Sequence, residues 1–145
     1  MNLVDALVVL SALLAATVGL GLFLRWHQSR PRPQDPSELI DPARFGAPEL
    51  GENATLLQFS TEMCSRCPGV HRTLSDIAQS QPGVVHIDVD LTHRPDIARH
   101  FHILQTPTTF VLDGHGAIRT RFGGAPSRHV VELELGRVTS AQVDA

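Results

Sequence analysis

Only two cysteines occur in the 145 residues, and lysine is absent, so all 12 basic residues are arginine. Two thiols are too few for a four-thiolate zinc site or for a framework of several bridges. Positive charge is scarce as well. The formal net charge is -3, and residues 33–145 carry nine arginines against fourteen acids. No basic face for a nucleic-acid backbone is visible in that balance, which disfavours phosphate-backbone binding, and no nucleic-acid partner is expected. No internal repeat or long low-complexity tract is present, and 42% hydrophobic with 19% charged residues excludes a disordered or fibrous chain. The length corresponds to one domain of ordinary size.

One long apolar run stands out. Ala6 to Leu24 are 19 residues without a charge, about 28 Å as a helix and close to the thickness of a hydrocarbon core. Arg25 can snorkel beyond it, and Trp26 suits the headgroup level. A cleaved signal peptide would need a basic leading region and a small-residue cleavage site. Here Asp5 is the only side-chain charge before the run, and no Ala-x-Ala or lipid-attachment cysteine follows. A buried core helix would not be apolar on every face. The expectation is a single anchor over residues 3–25, with the lipid bilayer as a partner. Arg25, Arg30 and Arg32 follow the span while Asp5 precedes it, which predicts the main domain on the cytoplasmic face. The outward orientation is the alternative.

Residues 26–37 hold three prolines and few apolar residues and read as a semi-extended Pro/Arg linker. Residues 38–53 read as an irregular lead-in with a short helical turn. The domain proper is expected over 54–140, where strand and helix periods alternate. Ala54–Phe59 is a short apolar run, and Val85, Ile87 and Val89 alternate within 84–90 as in a strand. Cys67, Val70, Leu74, Ile77 and Ala78 share a helical stripe that begins at Cys64. A short helix at 96–101 precedes a β-branched strand at 108–112. Asp113-Gly114-His115-Gly116 is a hairpin turn into a strand at 117–122. Ser127 caps a last helix through about 138, although the alternation at 131–135 also suits a strand. The order β-α-β-α-β-β-α predicts an α/β fold, one mixed sheet covered by helices.

The two thiols, Cys64-Ser65-Arg66-Cys67, lie at i and i+3. On one helical turn they stand about 5 Å apart, within disulfide reach. Cys64 at a helix N-terminus would gain thiolate character, whereas Cys67 on the apolar stripe would be buried and keep its proton. That asymmetry suits a nucleophile and a resolving partner. Arg66 adds a fixed positive charge between them. A structural bridge over so short a loop would remove little chain entropy. Half of a metal site completed by His71 is the other alternative, and haem attachment is excluded because Pro68 follows the second cysteine. His100 and His102 would make a poor ligand pair. Asp88, Asp90 and Asp96 read as strand and helix-cap polar groups rather than ligands.

Residues 54–138 resemble the thioredoxin family. The resemblance rests on the strand into Cys64-Ser65-Arg66-Cys67, Val89-Asp90, the run Asp96 to Ile103, Thr106-Pro107-Thr108 opening a strand, the 113–116 turn, and Gly124-Ala125-Pro126-Ser127 before the last helix. It implies a thioredoxin-like fold with Pro107 cis and facing the cysteines. It also implies a substrate-binding surface at Thr106, Pro107 and Gly124, where an extended segment can pair with the backbone. Met63 and Ser65-Arg66 depart from the family's Trp-Cys-Gly-Pro-Cys, and Arg72 replaces its helix-kinking proline. Gln58 stands where many members bury an aspartate beneath the resolving cysteine. Arg66 and Gln58 are therefore the residues expected to tune the thiols. The function so implied is a membrane-tethered thiol-disulfide oxidoreductase with Cys64 and Cys67 catalytic. No cofactor or metal is expected, and the partners are a disulfide substrate and an upstream electron donor. A redox-inactive docking module and a metal carrier using Cys64, Cys67 and His71 are the alternatives.

Overall fold

The computed structural model describes residues 2–28, 31–33, 38–46 and 49–143. The chain runs α1 (Leu3–Gln28), β1 (Arg32–Pro33), a 3-10 turn (Pro42–Phe45), β2 (Ala54–Ser60), α2 (Cys67–Ser80), β3 (Val84–Asp90), α3 (Pro95–His100), β4 (Thr108–Asp113), β5 (Ile118–Gly123) and α4 (Arg128–Val143). The sheet order is β1-β5-β4-β2-β3. Strands β2 and β3 are parallel and joined through α2, and the other neighbours are antiparallel. This is the expected α/β fold, a thioredoxin-like mixed sheet with helices against it.

Strand β2 reads as a continuous apolar run because both its faces are covered. One face packs Leu56 against Val70, Leu74 and Ile77 of α2 and Val131 and Leu135 of α4. The other packs Leu57 and Phe59 against Ile97 and Phe101 near α3. There Phe59 and Phe110 meet edge to face with ring centroids 5.0 Å apart. Each ring taken from water contributes about 1.5–3 kcal/mol. The 131–135 alternation resolves as helix: Val131, Leu135 and Val138 are buried at helical spacing. The polar Glu134 between them is also buried, where it accepts from Thr120 Oγ1 and Arg137.

Three expectations change. Helix α2 begins at Cys67 rather than Cys64, because residues 64–66 form a turn. Cys64 N–H donates to Thr61 O, and Cys67 N–H donates to Cys64 O. Pro68, which has no N–H to offer, then falls in the first helical turn, where that loss costs least. The linker is not a free tether throughout. Arg32 and Pro33 pair with Arg121 and Thr120 on the sheet edge, a place that suits a residue unable to donate; residues 29–30 and 34–37 of the linker lie outside the described residues. The lead-in is pinned too: Ile40 N–H donates to Gly116 O at 2.8 Å, and Leu39 bridges Ala117. Gly116 has φ +84, and a side chain there would press on Leu50 and on Ile40 O, so glycine is required twice over.

Asp113 locks the same turn. Its carboxylate accepts from His115 N–H, Ala117 N–H and Arg119 Nε, the last at 2.7 Å. Burial alone would raise its pKa, but the Arg119 guanidinium and the two N–H groups hold it below the usual carboxylate range. Among the described residues α1 is the one helix long and apolar enough to cross a membrane. Its apolar side chains face outward on every side.

Candidate redox site

The site forms where β2 ends and α2 begins. Cys64 and Cys67 are joined as a disulfide with Cα atoms 5.5 Å apart. Cys64 is half-buried in the turn, whereas Cys67 is 5% exposed on the inner face of α2. The two sulfurs therefore differ in access, since an incoming group meets Cys64 first. Arg66 is exposed and occupies the N-cap position of α2 without a side-chain capping bond.

Across from this turn, the Thr106–Pro107 peptide bond is cis. Thr61 ties the two loops together: its carbonyl accepts from Cys64 N–H, and its hydroxyl lies 3.2 Å from that of Thr106. Gly124 joins from the third side, its N–H donating to Pro107 O at 2.8 Å. A Cβ at Gly124 would meet nothing within 4 Å, so glycine is needed there for the φ of +85 rather than for space. The loops that carry Cys64, Thr106–Pro107 and Gly124 are thus tied to one another, with Cys67 and Pro107 buried and Cys64, Thr106 and Gly124 partly exposed.

Gln58 is fully buried beneath α2. Its Nε2 donates to Cys67 O at 3.1 Å, so it holds the backbone of the buried cysteine rather than its sulfur. The amide Oε1 lies 3.2 Å from His86 Nε2, and His86 Nδ1 lies 2.9 Å from Ser75 Oγ. Because the amide nitrogen is committed as donor, Oε1 must accept. That fixes the proton of a neutral His86 on Nε2 and leaves Nδ1 to accept from Ser75. Burial first, then the neighbouring His71, push the His86 pKa down to about 4, against a smaller pull from Asp88. Gln58 beneath Cys67 cannot ionise, and the imidazole behind it stays neutral at neutral pH.

A second pair was not assembled from the sequence. His71 Nδ1 lies 2.9 Å from Asp88 Oδ2, and Ser60 Oγ donates to Asp88 Oδ1 at 2.6 Å. His71 stands one helical turn after Cys67, and both line a cavity of about 460 Å³ with Cys64, Asp88 and Asp90. The available signal was the i, i+4 spacing from Cys67; the position of Asp88 beside Ser60 required the parallel β2–β3 register. Among the described residues, no group of three or more His, Cys, Asp or Glu is placed to hold a metal ion. Cys64, Cys67 and His71 are therefore not brought together as a ligand set. Asp90 closes a turn by accepting from Thr92, and Asp96 sits in the first turn of α3 with Arg94.

This arrangement has known counterparts. A thioredoxin from Methanocaldococcus jannaschii is 27% identical over 74 residues, which is 50% of this chain and 81% of that protein. Oxidised mitochondrial thioredoxin 3 from Saccharomyces cerevisiae superposes with a TM-score of 0.52 at 21% identity, covering 59% of this chain and 79% of that one. A mutant thioredoxin from Halobacterium salinarum gives 0.55 at 15% identity, covering 61% and 76%. The last two share the fold. The family model for thioredoxin matches residues 46–134, a span that holds the disulfide turn, the cis proline and Gly124. With that match over more than half its length, the chain belongs to the thioredoxin family.

Proposed function

We propose that the protein is a membrane-tethered thiol-disulfide oxidoreductase whose redox centre is Cys64 and Cys67. The reading is carried by one observation: a disulfide between a half-buried and a buried cysteine at the start of α2, tied through Thr61 to the loop of the cis Thr106–Pro107 bond. In the reduced state the Cys64 thiolate attacks a substrate disulfide. A Cys64–substrate bond forms, the substrate bond breaks, and one substrate thiolate leaves to take a proton. Cys67 then gives up its proton and attacks the Cys64 sulfur. This restores the 64–67 bridge and releases the second substrate thiolate, so two electrons pass from the dithiol to the substrate. An upstream dithiol or other two-electron donor must reduce the bridge again.

Thr106, Pro107 and Gly124 form the substrate-binding surface, where the backbone around Thr106 pairs with the incoming segment. Arg66 favours the Cys64 thiolate by its charge, and Gln58 fixes the backbone of Cys67. With an amide at position 58, the Cys67 proton must leave elsewhere. The cavity shared with His71 is the route: a histidine whose Nδ1 faces Asp88 offers Nε2 as an acceptor, directly or through one water.

Residues 3–25 serve as the anchor, 26–37 as the linker, 38–53 as the lead-in and 54–140 as the redox domain. Arginines at positions 25, 30 and 32 favour the cytoplasmic face for that domain. There the ambient thiol poise keeps the pair reduced, and the protein works as a reductase. The test of the chemistry is Cys67→Ser. It should accumulate mixed disulfides at Cys64 that mass spectrometry resolves, and recovery of no adduct would exclude the mechanism. A membrane-impermeant thiol reagent on intact cells should leave Cys64 unlabelled, and labelling would reverse the orientation.

A further inference from the structure

The arginines are distributed unevenly over the fold. Arg94, Arg119, Arg128 and Arg137 each hold a carboxylate within 3.2 Å. Arg32, Arg66, Arg72 and Arg121 have no carboxylate partner among the described residues, and all four line the two cavities beside the redox turn. The first, about 520 Å³, lies between the start of α2 and Gly123–Pro126 and takes Arg66 and Arg72, with Arg25 at its edge. The second, about 480 Å³, lies beyond the cis-proline loop and takes Arg32, Arg121 and His102. The two meet at Gly123, next to Gly124, and no aspartate or glutamate lines either.

Arg121 is held in place rather than neutralised. Its guanidinium donates to Phe101 O and His102 O and lies 5.1 Å from the centre of the Phe110 ring. Burial and then the like charge of Arg32 lower its pKa. Across the disulfide turn the balance changes: Glu62, Asp88 and Asp90 line the cavity on the β3 side together with Arg72, which borders both cavities. Within a molecule of net charge -3, Arg32, Arg66, Arg72 and Arg121, without a carboxylate partner among the described residues, thus gather along the edge where a substrate chain would lie.

From this juxtaposition we propose that the substrates are acidic disulfide segments, with aspartate or glutamate beside the scissile disulfide seated toward the Gly123–Gly124 side. The proposal rests on the oxidoreductase reading above and names its substrate class. Carboxylates placed there meet Arg66 and Arg72 on one flank and Arg32 and Arg121 on the other, in the bidentate fashion that guanidinium favours. A cleft of one sign also steers oppositely charged partners and speeds their encounter.

The test uses the full, reduced chain in micelles of an uncharged detergent. Three peptides of otherwise identical sequence carry one disulfide flanked by glutamate, glutamine or lysine, and 2-hydroxyethyl disulfide serves as a neutral reference. At about 20 mM salt the glutamate peptide should react on the order of tenfold faster than the lysine peptide, and the ratio should shrink toward one at about 0.5 M. The double variant Arg32→Gln with Arg72→Gln should cut the ratio at least threefold. Because the ratio is taken within each protein, a smaller folded fraction cancels. A wild-type ratio of one or less, or a ratio the variant leaves unchanged, overturns the substrate assignment. So does loss of the glutamate advantage on adding phosphatidylglycerol but not phosphatidylcholine, which would give these arginines to lipid headgroups. If the neutral disulfide reacts while the peptides show no ordering, only this inference falls; if none of the four is reduced, the oxidoreductase reading falls with it.

Discussion

The imidazole of His86 makes acid stability of the fold a sensitive probe of the buried polar chain under Cys67. Its pKa is pushed from 6.5 to about 4, burial being the larger cause and His71 the next. Between those two values the unfolded chain binds a proton that the folded chain refuses. Stability is therefore intact above about pH 6.5 and declines as pH falls toward 4. The displacement sets a ceiling of about 3 kcal/mol at the acid end. The ring is only partly buried, so solvent screening reduces the expected share to about 1–2 kcal/mol. For a domain of this size that is about 5–10 °C in melting temperature. The comparison is thermal unfolding of the full chain and of His86→Gln in neutral detergent at pH 7 and pH 4.5. Groups distant from position 86 titrate alike in both proteins, so the difference in slope reports on His86 and on its coupling to His71 and Asp88. The wild type should lose more on acidification. Parallel melting curves at the two pH values would refute the burial of a neutral His86 beside His71.

His71→Gln should lengthen the lifetime of the mixed disulfide on Cys64 severalfold, with less effect on its formation, in stopped-flow traces near pH 7; equal lifetimes would remove His71 from the proton path. Asp113→Asn should cost about 2–3 kcal/mol in denaturant unfolding, because it leaves Arg119 and two N–H groups facing a weaker acceptor. Phe110→Ala should cost about 3–5 kcal/mol by the same assay, since its ring packs on both Phe59 and Phe101.

Much of the sheet was legible in local pattern. Strand β2 announced itself by its apolar run and β3 by its alternation, and the Asp-Gly-His-Gly turn placed β4 beside β5. The two-residue β1 carried no such mark: Arg32 and Pro33 are strand only because the edge of β5 offers partners, and edge pairing leaves no periodicity in two residues. Local pattern also left 131–135 open between strand and helix, and packing of Val131, Leu135 and Val138 on the sheet decided it. At the site, the cysteine spacing and the Thr-Pro-Thr run were visible. The partners of Gln58 and His71 were not, since His86 and Asp88 reach them only through the β2–β3 register combined with the packing of α2 on the sheet.

The pairing of Arg32 with the sheet edge also bears on reach. Helix α1 ends at Gln28 and the pairing begins at Arg32, so at most about 14 Å of extended chain separates the two. Were α1 seated in a bilayer, such a leash would hold the disulfide turn close to the headgroups and prevent it from sweeping far into the surrounding solution. Disulfides buried in large soluble proteins would pass out of range, whereas those in juxtamembrane loops or on docked neighbours would present themselves at the right height.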